Sequence, residues 1–206
     1  MAFITKISFP NNLEQLVNFL RVRDGDYNGT AAEMSDIYLL LESYSTAWTA
    51  PDWCKVGDIV FFMHTKISKS RLEHIEAEYE DRGDEYNIYA RLRIEKALEL
   101  ERDLYKKYGG KIFAIGQVSG EVFDNNYAAE NNLHWKSRTY APISDIFILE
   151  RPVDVSEFGS FIDVAERTAI TPVFGENFNK LKNLIMRKNS VKAYFKNSEA
   201  GELIKI

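Results

Sequence analysis

Trp53-Cys54-Lys55-Val56-Gly57-Asp58-Ile59-Val60-Phe61-Phe62-Met63-His64-Thr65 decides the fold. Val56-Gly57-Asp58 has the composition of a tight turn, and Ile59 to His64 follows as a nearly unbroken apolar run. That pattern belongs to a strand buried on both faces. A second strand runs from Lys111 to Val122 around Gly116, where a missing side chain marks the close approach of another group. One strand ends in aromatic and polar residues and the other is pinched by glycine. Together they predict a small barrel with a pocket at its mouth, an architecture suited to binding.

Between these strands, residues 66–108 are helical in character. Ile67, Leu72, Ile75 and Tyr79, then Ile88, Leu92, Ile94, Leu98, Leu104 and Tyr105, recur at roughly helical spacing. Arg82-Gly83-Asp84 breaks the run and Tyr108-Gly109-Gly110 closes it, so the expectation is a helical hairpin inserted at about 66–110 into a β framework. Ala2–Ser8 reads as a strand and Leu13–Leu20 as a short helix. Met34–Tyr44 reads as a buried strand or a helix, and 45–52 as a loop carrying Trp48. A polar loop, 124–137, holds His134 and Trp135, and Tyr140–Asp145 leads into a strand at Ile146–Leu149. Ser156 is placed as the cap of a helical turn. Ile170–Phe178 leads into a helix at Asn177–Lys188 with Phe178, Leu181, Leu184 and Ile185 on one face.

The chain has 206 residues, enough for one domain with a full core, and 45% of them are hydrophobic. No segment approaches a membrane span, and the N-terminal stretch lacks a signal-peptide pattern. One cysteine, Cys54, allows neither an internal disulfide nor a cysteine-based metal site, and a cytoplasmic setting is expected. The net charge of −5 is unevenly spread. Residues 73–103 hold eleven acids against five bases, a net of −6, leaving +1 for everything else. Residues 180–196 hold six bases and no acid. An acidic helical segment therefore masks a nearly neutral body with a basic C-terminal stretch.

Catalytic signatures are absent. There is no Gly-rich phosphate loop, no Gly-x-Ser-x-Gly elbow and no His-Glu-x-x-His, and Gly109-Gly110-Lys111 precedes a strand instead of a helix. The three histidines are not spaced for metal, so no metal or cofactor is expected. Cys54 and His64 are read as a core thiol and a structural histidine before a nucleophile and base. The aromatic set points elsewhere. Trp48 in one loop, Trp135 and Tyr140 in another, and Phe62 with His64 at the end of the strand can form walls around a flat ligand, and Asp145 can accept from its edge.

The order of elements is familiar. Val56–Thr65 resembles the Gly-Asp-x-apolar-aromatic-His strand of EVE-type domains. Lys111–Val118 is similar to their next strand, and Tyr140–Ile146 to a later segment. These domains belong to the PUA-like superfamily, with YTH and ASCH domains as relatives. The resemblance covers roughly residues 45–65 and 111–185. It implies an α+β fold, a mixed β pseudo-barrel flanked by helices, formed here by a single domain over 1–206. It also implies nucleic-acid binding, often of a modified base in an aromatic pocket, and some members are fused to restriction ATPases. The insertion at 66–110 is longer than usual in the family, and Thr65 replaces a common serine.

The combined expectation is a non-catalytic domain that binds DNA or RNA. Trp48, Phe62, His64, Trp135, Tyr140 and Asp145 line its base pocket, and Lys180, Lys182, Arg187, Lys188 and Lys192 contact phosphates. The alternatives are a nucleotide- or small-molecule-processing enzyme using Asp145 or His64 as base, and a protein-interaction module working through the acidic hairpin.

Overall fold

The computed structural model describes residues 1–21, 45–124, 139–165, 168–189, 195–196 and 203–204. The expected Met34–Tyr44 element lies outside them. One mixed sheet organises the chain. Its strands are β1 (Ala2–Ile7), β2 (Ser45–Thr49), β3 (Ile59–His64), β4 (Lys111–Val118), β5 (Phe123–Asp124), β6 (Thr139–Asp154) and β7 (Ile170–Val173). The order across the sheet is β2-β6-β4-β3-β1-β7, with β5 also on β6. Only β1 and β3 run parallel, Ala2 opposite Ile59 and Ile7 opposite His64; the other pairs are antiparallel.

The sheet curls. Between β2 and β1 lie four strand-to-strand steps, about 19 Å if the sheet were flat. Yet the Trp48 indole N–H of β2 donates to Thr5 Oγ1 of β1 at 3.0 Å. The edge strand therefore folds back over the far side and makes a half-barrel. Its interior holds Phe3, Ile7, Trp48, Val60, Phe62, Ala114, Val118, Ala141, Ile143 and Ile146. Gly116 is the pinch point: a Cβ there would come within 2.7 Å of Ile143 Cγ2 and 3.2 Å of the Phe62 ring. The outer face carries Ile4, Phe61, Met63, Ile112 and Leu149, and Phe158, Ile162, Leu181 and Ile185 cover it. Those covering residues belong to α4 (Val155–Phe158), α5 (Gly175–Lys188) and the turn after α4. Two buried faces explain why the Ile59–His64 run has no polar alternation.

The inserted hairpin is as expected: α2 (Ile67–Arg82), a 3-10 turn at Gly83–Glu85 and α3 (Ile88–Tyr108). Its inner face packs on α1 (Leu13–Arg21) through Leu13, Leu16, Leu72, Ile75, Ile94 and Leu98. Gly110, at φ +71, returns the chain into β4 in a conformation that favours glycine. The fold is thus the expected α+β pseudo-barrel flanked by helices.

Three local readings change. Ser45–Thr49 is strand β2, not loop, because its ladder partner β6 supplies what its short Ser/Thr/Ala-rich run does not advertise. β6 starts at Thr139, well before Ile146. Pro142 does not stop it: the ladder uses the Pro142 carbonyl, which accepts from Ser119 N–H at 2.8 Å. Asp154, not Ser156, caps α4, in a reciprocal box with Glu157.

Candidate nucleic-acid interface

Trp48 and Phe62 meet inside the half-barrel. Their rings stand edge to face, centroids 5.4 Å apart at 90°. Trp48 is 8% exposed and Phe62 fully buried. The indole N–H is satisfied by Thr5, whose hydroxyl lies 3.5 Å from the Thr49 carbonyl. This pair is a closed wall, rigid because every polar group in it has a partner.

One residue along each strand, side chains pass to the other face. Tyr140 sits there, opposite Thr49 on one side and Phe123 on the other. The Phe123 and Tyr140 rings lie 6.0 Å apart, inclined by 32°. Tyr140 is buried, whereas Phe123 is 40% exposed. Asp124 pairs with Thr139, so segment 125–138 leaves and re-enters the fold beside this aromatic shelf. Trp135, like Lys192, lies outside the described residues. Its Cα is four residues from Thr139, which limits their separation to about 15 Å.

His64 continues the inner row of β3 beyond Phe62. Its Nε2 lies 2.8 Å from Glu101 Oε1 of α3, with both side chains buried. The Tyr105 ring meets the imidazole edge-on at 5.7 Å, and Nδ1 has no hydrogen-bond partner. His64 therefore joins the inserted hairpin to the sheet. Asp145 is exposed at a kink in β6, at φ +51, and accepts from Ser144 Oγ at 3.2 Å. It stands five residues from Tyr140 along the strand, about 17 Å. The structure thus brings Trp48 against Phe62 and Tyr140 against Phe123, and sets His64 and Asp145 apart from the shelf.

The basic residues of α5 divide. Lys180 and Arg187, seven residues apart, share an exposed stripe, where Lys180 pairs with Glu176 at 2.8 Å. Lys182 lies on the opposite flank, over the Phe178 ring at 5.9 Å. Lys188 is half-buried against Glu157, 2.6 Å away. Burial alone would raise the Glu157 carboxyl, but the bonds from Lys188 and the Asp154 N–H outweigh it and hold it below its ordinary value. Cys54 goes the other way: burial, then Asp58 and Asp52, push its thiol up to about 11, so it stays protonated and unreactive at neutral pH.

Sequence reasoning missed Phe123 and Glu101. Glu101 was counted among solvated acids, although its spacing from Ile94, Leu98, Leu104 and Tyr108 puts it on the buried stripe of α3. Phe123 carried a weaker signal, a lone aromatic after the Gly120 turn. Among the described residues no three His, Cys, Asp or Glu side chains gather as metal ligands, and no helix is long and apolar enough to cross a membrane.

No protein-family model and no curated protein matches the chain. Solved structures with a similar course do exist. Human THYN1 protein, in complex with DNA containing 5-methylcytosine, is 14% identical over 89% of this chain and 96% of its own, with a TM-score of 0.48. A Pseudomonas syringae protein is 12% identical over 90% and 99%, with a TM-score of 0.46. A hypothetical protein from Leishmania major is 10% identical over 90% and 94%, also at 0.46.

Proposed function

We propose that this chain is a non-catalytic nucleic-acid-binding domain that takes one unpaired base, including a modified one, against the shelf of Phe123 and Tyr140. The observation that carries this reading is the half-exposed Phe123 ring resting on Tyr140 at the root of segment 125–138. An aromatic ring held open to solvent on a buried second ring gives a flat ligand a surface that needs no rearrangement. Stacking of a base on such a ring contributes about 1–3 kcal/mol. Trp135 supplies the opposing ring, and Trp48 with Phe62 stiffens the sheet behind.

The other candidates take separate parts in this reading. Asp145 meets a neighbouring nucleotide, since 17 Å or so separates it from Tyr140 along β6. His64 holds the hairpin and acts through the frame. Lys180, Arg187, Lys182 and Lys192 contact phosphates, and Lys188 fixes the end of α5 through Glu157. Sequence-independent phosphate contacts make the affinity fall steeply with salt.

Titration of the wild-type protein with short oligonucleotides, with and without 5-methylcytosine, at low and moderate salt tests the reading. Binding that Phe123→Ala or Trp135→Ala weakens, with the fold intact by circular dichroism, supports it. No binding at low salt refutes it.

A further inference from the structure

Seven large apolar side chains are exposed among the described residues, and three of them stand within five consecutive positions at the start of α3. These are Ile88 (61% exposed), Tyr89 (77%) and Leu92 (56%). Single exposed apolar residues are ordinary; a cluster is not. Ile88 and Leu92, four apart, lie side by side on the face of α3 opposite the one that buries Ile94, Leu98 and Leu104. Along the same outer face follow Glu95, Glu99 and Asp103 at helical spacing.

Charge completes the surface. The arginines of the hairpin are already engaged: Arg82 with Glu85, Arg91 with Asp84, Arg102 with Glu76, and Arg93 with the Leu20 carbonyl. Glu80, Asp81 and Glu99 are exposed and have no ion-pair partner among the described residues. The patch sits at the hairpin tip, about 24–30 Å from the sheet by helix length. A hydrophobic spot rimmed by uncompensated acid at the end of a projecting arm fits a complement of opposite charge.

We propose that the hairpin tip docks a basic amphipathic helix of a protein partner, with Ile88 and Leu92 receiving its apolar side chains and Glu80, Asp81 and Glu99 its lysines or arginines. The site is separate from the aromatic shelf and stands whether or not the shelf binds nucleic acid.

A fluorescein-labelled amphipathic peptide of leucine and lysine is the probe, titrated by anisotropy against wild type, Ile88→Ser/Leu92→Ser and Glu99→Gln. The double variant leaves net charge unchanged and weakens binding at least about tenfold, since buried apolar anchors carry most of such an interface. Raising salt from about 50 to about 300 mM weakens wild-type binding further, and Phe123→Ala leaves it unaltered. Three results overturn the proposal. One is equal peptide affinity for the double variant and wild type, which reduces the binding to bulk charge. Another is a fall of several degrees in the double variant's melting temperature, which makes the patch part of the chain's own packing. The third is a wild-type dimer in light scattering that the double variant converts to monomer, which makes a second copy the occupant.

Discussion

Replacing Glu101 by alanine tests how the inserted hairpin is fastened to the sheet. Glu101 is 4% exposed on the stripe that α3 otherwise fills with apolar residues, and its Oε1 lies 2.8 Å from His64 Nε2. His64 is itself fully buried, with Nδ1 already lacking a hydrogen-bond partner. The substitution leaves the imidazole without its one close polar neighbour. Breaking a buried pair costs about 3–5 kcal/mol if both groups are charged, and an unsatisfied neutral group about 1–3 kcal/mol. We expect about 3 kcal/mol for Glu101→Ala, and about 1 kcal/mol for Glu101→Gln, which keeps an acceptor in place. For a domain of this size the urea slope is roughly 2–3 kcal/mol/M, so the alanine midpoint falls by about 1 M at unchanged slope. The double variant His64→Ala/Glu101→Ala must then fall short of additivity by at least about 1 kcal/mol. An alanine variant within about 0.5 kcal/mol of wild type, or additive costs, would show that the hairpin is held by α1 packing alone.

Other expectations follow from single contacts. Gly116→Ala drives a methyl to within 2.7 Å of Ile143 and 3.2 Å of Phe62, so it costs about 1–3 kcal/mol by overpacking, and denaturant melts report it. Trp48→Phe removes the indole bond to Thr5 that closes the half-barrel, at a cost of about 1–2 kcal/mol, with hydrogen exchange speeding up across β2 before the rest of the sheet. The carboxyls of Asp154 and Glu157 are held below their ordinary values of 3.8 and 4.5; in both, burial works against this and hydrogen bonds prevail, from Ser156 to Asp154 and from Lys188 to Glu157. Their contribution is complete above those ordinary values and is lost as pH falls through the lowered ones, so the melting temperature drops in acid, and Glu157→Gln flattens that slope.

The framework was legible because its signals are local. Ile59–His64 is apolar on every position, and a strand reads that way only when both faces are covered; Gly116 announced the crowding that Ile143 and Phe62 impose. The hairpin declared itself by helical spacing and its glycine breaks. What stayed hidden depends on partners distant in sequence. β2 is a strand because β6 pairs with it, and Trp48 turns inward because Thr5, 43 residues away, accepts its N–H. Composition counts Glu101 as charge, whereas the fold uses it as an internal anchor. Aromatic content suggested a pocket correctly in kind, but strand alternation divides the rings. It sends Trp48 and Phe62 to one face and Tyr140 to the other, beside a phenylalanine with little to mark it in the sequence.

Oligonucleotide binding by the Phe123→Ala variant, measured beside wild type, tests the central claim most directly. The shelf is half open to solvent, so the substitution leaves the core untouched, and its loss removes about 1–3 kcal/mol of stacking, a factor of roughly 5–150 in dissociation constant. A weakening in that range, at unchanged stability and unchanged salt dependence, is the result the account predicts. Equal affinity in the two proteins, or no affinity in either at low salt, would contradict it.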